Sequence, residues 1–368
     1  MPVSAAGRAR TGQPTFEQDL ELLRPALTGY CYRMLGSGFE AEDATQETMI
    51  RALRRSETLL DRAALKGWLF RIATNVCLDQ LDSRKRRAQP VDVGGAGMAD
   101  TPVGAALPES TWVLPIADGQ VIDPDADPAM RTADRETLRL AFVAALQHLP
   151  ARQRVVLVLR EVLRWSAKEV AELLETSVAS VNSALQRARA TLDELALRDS
   201  DAPARPSDED ERRLLEQYLE AFAEYDIDRI VALLRYDVVF DMPPLALWLR
   251  GPEQVGRFML GQGAACRGSK LIAVAANGCP AFASYKPDAE SGHWLPWSLT
   301  ILEPVADGSA TPAVAGVHNF LQPFLPALFR SFGAPDHLTS ADPSFRPVGP
   351  VPSQPCPSAS SSPKRRSA

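Results

Sequence analysis

Ser180, Ser183, Gln186 and Arg187 recur along one side of a helical repeat, with Asn182 and Arg189 on its flanks and Ser177 at its start. The stretch has no carboxylate before Asp193. Short hydroxyls, amides and guanidinium forks are the groups that meet base edges and grip phosphates in a DNA major groove. On the opposite side, Val178, Val181, Leu185, Ala188 and Leu192 keep helical spacing and predict one buried stripe. A helical hairpin whose polar face meets only water has a similar composition, so these residues alone leave two readings.

The preceding segment must hold that helix. Val170, Ala171, Leu173 and Leu174 make an apolar face, and Ser166 with Glu169 reads as a capping box. Glu175-Thr176-Ser177 is a short polar break, and Ser177 is a good N-cap for the second helix. Two helices across so short a break predict a helix-turn-helix. Before it, Leu138, Leu140, Phe142, Val143, Leu146 and Leu149 lead to Pro150 and a second apolar run, Val155 to Leu159, as its support.

Two further groups sit upstream. A helix beginning at Phe16 and closed by Gly36 precedes an acidic stripe, Glu40, Asp43 and Glu47, with Glu42 and Gln46 close by. Arg51 and Arg54 extend that side, and Ala44, Thr48, Ile50 and Leu53 are expected to face inward. The stripe is either a solvated face or a docking surface for a basic partner. Next, Trp68, Arg71, Asn75 and Asp79 share a helix face just before Arg84, Lys85, Arg86 and Arg87. An aromatic beside amides and guanidinium groups suits unstacked single-stranded bases; a Trp packed at a domain edge explains it as well.

The chain has 368 residues and a net charge of -6, so no overall basic charge marks it as a nucleic-acid binder and charge must be read by segment. Its five cysteines include no CxxC pair, which argues against a zinc module or a disulfide scaffold. No cofactor is expected. No window has the apolar length of a membrane span or signal peptide, which predicts a soluble, cytoplasmic protein. Residues 91–130 lack helical period and read as a flexible linker in which Trp112 and Leu114 have no evident partner. After a second boundary at 199–210 the pattern becomes a helical start followed by β-branched and aromatic runs, an α+β module over 211–337. Asp241, His293 and His318 are its candidate acid–base groups, with Trp248, Trp294 and Trp297 as pocket walls.

GFEAEDATQETMIRALRR, GWLFRIATNVCLDQLDSRKRR and the long run from Leu146 to Leu192, in that order, resemble a bacterial RNA polymerase sigma factor of the extracytoplasmic-function (ECF) group. The resemblance implies a multidomain fold with two all-α sigma domains, at 15–90 and 131–198; residues 1–14, without periodicity, and 338–368, rich in Pro and Ser, read from composition as a disordered lead and a disordered tail. It implies that the helix around Glu42, Asp43 and Glu47 docks on core RNA polymerase. It further implies that 56–87 opens and reads the −10 element of promoter DNA and that the helix from Ser177 reads the −35 element. The C-terminal α+β module resembles the SnoaL-like branch of the cone-shaped NTF2-like fold, which implies a regulator of the sigma part. A polymerase-independent DNA-binding regulator and an enzyme carried on the C-terminal module are the alternatives. The residues name neither a pocket ligand nor a separate anti-sigma partner, and no membrane partner is expected.

Overall fold

The computed structural model describes residues 15–82, 86–196, 205–306 and 312–346; Arg84 and Lys85 lie outside them. Helix α1 (Phe16–Leu35) is capped by Thr15 and stops at Gly36, whose φ of 72° takes the left-handed conformation that ends helices. Helices α2 (Gly38–Arg54) and α3 (Leu65–Leu81) pack on it around Leu27, Tyr30, Met34, Leu69 and Phe70. The buried line of α2 is Ala41, Ala44, Thr48 and Ala52, small residues that bring the helices close. Ile50, half a turn from that line, is 43% exposed, and Leu53 is 45% exposed, so the expectation that both face inward fails on helical geometry.

The stretch from residue 88 to 122 is packed rather than loose. After the single turn α4 (Pro90–Val93), Trp112, Val113, Leu114 and Ile116 are buried. Irregular backbone can be buried only when its polar groups find partners, and here they do on both sides. Leu114 N–H donates to Gly36 O at 2.9 Å, Gly97 N–H to Trp248 O at 2.8 Å and Leu107 N–H to Pro244 O at 2.9 Å. Gly38 permits the approach, since a Cβ there would lie 2.4 Å from Pro115 O.

The next unit comprises α5 (Pro128–Leu138), α6 (Leu140–Gln147), α7 (Ala151–Leu157) with a π turn at Val158–Val162, α8 (Ala167–Leu173) and α9 (Val178–Ala196). The final unit begins with α10 (Asp208–Glu224) and α11 (Ile227–Ala232). Its strands are β1 (Leu234–Asp241), β2 (Trp248–Arg250), β3 (Lys270–Ala276), β4 (Cys279–Pro287), β5 (Trp294–Val305), β6 (Ala313–Phe320) and β7 (Phe345–Arg346). Helix α12 (Pro252–Leu260) follows β2 and α13 (Leu325–Ser331) follows β6.

The seven strands form one mixed sheet in the order β2-β1-β6-β5-β4-β3-β7, with β1–β6 and β3–β7 parallel. Alternation along the strands gives the sheet two differently covered faces. Val238, Phe240, Leu271, Phe282, Leu302 and Val317 pack under α10, α11 and α12. Ala281, Ala283, Tyr285, Leu299, Ile301 and Phe320 belong instead to the core that contains Tyr32, Leu114, Ile116, Leu138 and Leu140. The sheet therefore shares one apolar core with the helical units.

Candidate nucleic-acid interface and the junction behind it

The α8–α9 hairpin forms as its residue types require. Ser166 Oγ accepts from Glu169 N–H while Glu169 Oε2 accepts from Ser166 N–H, closing the capping box. Glu175 takes a left-handed φ of 51° at the turn, and Ser177 Oγ accepts from Ser180 N–H at 3.1 Å to start α9. Val181, Leu185 and Ala188 are buried; Val178, expected with them, is 43% exposed because it opens the first turn, ahead of the packed region. Ser177, Ser180, Asn182, Ser183, Gln186, Arg187 and Arg189 are all exposed. Arg189 ion-pairs with Glu161 in the π turn at 2.6 Å, whereas Arg187 has no ion pair among the described residues.

On α3, Trp68 is half-buried, its ring 6.5 Å from that of Phe16, while Arg71 and Asn75 are exposed. Arg71 reaches the hairpin: it donates to Glu172 O at 2.7 Å and pairs with Glu175 at 3.5 Å. On α2, Glu42, Asp43 and Gln46 are exposed and Glu47 pairs with Arg51 at 2.6 Å. Glu40 instead turns to Arg87, at 2.6 Å. Arg87 is buried and also donates to Glu109 O and Trp112 O, so it braces the chain here rather than facing solvent. Arg86 is exposed, 2.9 Å from His148 Nδ1.

In the sheet module, Asp241 and His318 are register partners on β1 and β6, with His318 Nδ1 2.8 Å from Asp241 Oδ2. Glu303 Oε2 lies 3.6 Å from His318 Nε2. Burial opposes protonation of His318, yet the carboxylates of Asp241 and Glu303 prevail and raise its pKa well above the ordinary value. Burial works against the Glu303 carboxylate too, but His318 holds its pKa below the ordinary value. A space of about 10 Å³ adjoins Asp241 and His318, lined also by Ala88, Pro90, Val113 and Leu140. That is room for about one water. Trp248, the register partner of Asp241 on β2, lies beside that pair and donates through Nε1 to Gly94 O; Trp294, whose Nε1 donates to Gly268 O, and His293, whose ring is tilted against that of His337 at 4.7 Å, do not converge there. Among the described residues no group of three or more His, Cys, Asp or Glu side chains could hold a metal.

Residues 20–87 match the model for Sigma-70 region 2, and 139–192 that for Sigma-70, region 4. The ECF RNA polymerase sigma factor SigG of Mycobacterium tuberculosis is 40% identical over 325 residues, 88% of this chain and 85% of SigG. The chain belongs to the ECF sigma factors. A second M. tuberculosis ECF sigma factor, SigJ, is 30% identical over 66% of this chain and 72% of its own. The crystal structure of SigJ shares the fold, with a TM-score of 0.54 over 86% of this chain and 99% of that one, at 24% identity. In this sigma factor α1–α3 thus carry most of region 2 and α6–α9 most of region 4, and the sheet module follows both.

The residues joining these units carry little local signal. Asn277, fully buried at the β3–β4 turn, donates through Nδ2 to Tyr32 Oη (2.6 Å) and Leu138 O (2.7 Å) and accepts from Ile116 N–H (3.0 Å). One amide thereby ties region 2, the connecting segment and α5. Gly278 comes next with φ +70°, and a Cβ there would lie 2.5 Å from Arg135 O. Its N–H donates to Asp118 Oδ1 at 2.8 Å. Burial pushes the Asp118 carboxyl up to about 6, against the pull of Gly278 N–H, Arg135 and Arg205. The Asn-Gly dipeptide marks a tight hairpin turn, but nothing in it announces a partner more than a hundred residues away.

Proposed function

We propose that this sigma factor binds core RNA polymerase, directs it to promoters and promotes DNA melting, and that its SnoaL-like module regulates these steps without turnover. The observation that carries this is α9: a capped helix whose exposed face holds Ser180, Ser183, Gln186 and Arg187 with no carboxylate before Asp193. That face suits major-groove readout of the −35 element. Trp68, Arg71 and Asn75 on α3 supply the stacking and cationic groups for the opened −10 strand. Glu42, Asp43, Gln46 and Glu47 are the polymerase-facing set. Such work belongs in the cytoplasm, and no helix among the described residues is long and apolar enough to cross a membrane.

The contact of Arg71 with Glu172 and Glu175 supports a restraining role for the resting arrangement, because a guanidinium engaged with region 4 is withdrawn from DNA. The space beside Asp241 and His318, about 10 Å³, is too small for an organic substrate. Run-off transcription with core polymerase tests the reading. Transcripts are expected only when core and sigma factor are both present, and loss of start-site selection is expected for the Gln186→Ala, Arg187→Ala double variant. Failure to initiate on every member of a randomised promoter library would overturn it.

A further inference from the structure

Regions 2 and 4 border a solvent-open cavity of about 200 Å³ lined by Leu35, Leu81, Arg86, Arg87, Gln147 and Arg154. Three guanidinium groups converge on it. Like charges at such range repel unless something negative lies among them. Arg87 is answered by Glu40 at 2.6 Å. Arg154 is answered by no carboxylate among the described residues, although it is only 5% exposed. Its terminal nitrogens donate to neutral acceptors: Met34 O, Gln147 Oε1 (2.7 Å), Gln147 O (3.2 Å) and Leu149 O (3.1 Å). Its Nε has no partner among the described residues. Burial lowers the Arg154 pKa to about 10, which leaves it a cation at neutral pH. At the rim, Arg86 meets only the neutral-or-cationic ring of His148 among the described residues.

A buried guanidinium without a counter-charge is costly, and planar guanidinium forks match the oxygens of phosphate-like anions. We propose that this cavity binds one phosphate-sized oxyanion that Arg86 grips from the rim and that the uncompensated charge of Arg154, whose one undonated N–H is on Nε, attracts from the wall, fastening region 2 to region 4. The volume admits such an ion with several waters, each needing about 30 Å³, and is too small for a DNA duplex.

The test is titration of the full-length protein with inorganic phosphate, with ionic strength held constant by chloride, read by calorimetry and thermal unfolding. One saturable site and a saturable rise in Tm are expected. Arg86→Gln, at an exposed position, should weaken phosphate binding about tenfold to a hundredfold, the loss of one charge-assisted contact. Arg154→Gln, which removes the charge, should weaken it too; should that variant fail to fold, Arg86→Gln carries the test. Arg212→Gln on α10 should bind as the parent does. Absence of saturable binding in the millimolar range, or equal affinity in Arg86→Gln, would overturn the proposal. The readout needs neither polymerase nor DNA, so its failure leaves the promoter reading untouched.

Discussion

Arg187 and Arg189 stand two positions apart on α9, yet their surroundings separate them. Arg189 is held by Glu161 at 2.6 Å, while Arg187 has no ion pair among the described residues. An arginine that reads a base with both forks contributes about 1–3 kcal/mol of discrimination. Arg187→Ala is therefore expected to cost promoter binding about that much. Arg189→Ala should cost less, because Arg189 must first leave a surface ion pair, itself worth less than about 1 kcal/mol. Titration of holoenzyme on a labelled promoter fragment measures both. A larger loss from Arg189→Ala would reverse the assignment. The chemistry of both residues was legible in the sequence; which of them was already engaged was not, since Glu161 lies on a separate element of the fold.

At the scale of elements, the helical hairpin was the most legible part. Its cap at Ser166, its break at Thr176 and its start at Ser177 are decided by hydrogen bonds within three residues, which local sequence specifies. The segment through Trp112 was not legible, because its order comes from partners at Gly36, Trp248 and Pro244 rather than from any period of its own. Asp118, in that segment, gives a measurable consequence. Its folded-state pKa of about 6 stands above the ordinary 3.8, so the folded protein binds a proton that the unfolded chain releases. That contribution favours folding below about pH 4 and is lost as pH rises through 6. Asp118→Asn keeps the acceptor for Gly278 N–H and removes the titration. In urea denaturation across this range, the variant should gain stability relative to the parent as pH rises. A stability difference independent of pH would show that Asp118 does not titrate there.

At the scale of the molecule, the C-terminal sheet module meets the sigma regions through buried contact rather than a tether. Asn277→Ala would leave Leu138 O and Ile116 N–H without their partner, at a cost of about 1–3 kcal/mol for each stranded group. We expect an overall loss of about 2–4 kcal/mol in denaturation, since such deletions do not add fully. Hydrogen exchange should rise at Ile116 and along β3–β4. If the module restrains region 2 against region 4, exchange should also rise where α3 meets α8, and initiation with core polymerase should increase. Unchanged exchange at α3 and α8 would separate the module from that contact.

The sequence by itself determined the main helices of the sigma regions, the caps at Gly36, Ser166 and Ser177, the polar-basic face of α9, the acidic face of α2 and the change to an α+β module. Each depends on spacing within one or two turns or on strand alternation, which neighbouring residues specify. Only the tertiary structure decided that Glu40 and Arg87 meet each other, that Ile50 faces water, and that Asp241 joins His318 while His293 lies elsewhere. It alone placed Asn277 among three units and gathered Arg86, Arg87 and Arg154 around one cavity. Those outcomes are set by which distant surfaces exclude water together, and that depends on the whole core rather than on the order of residues in any one segment.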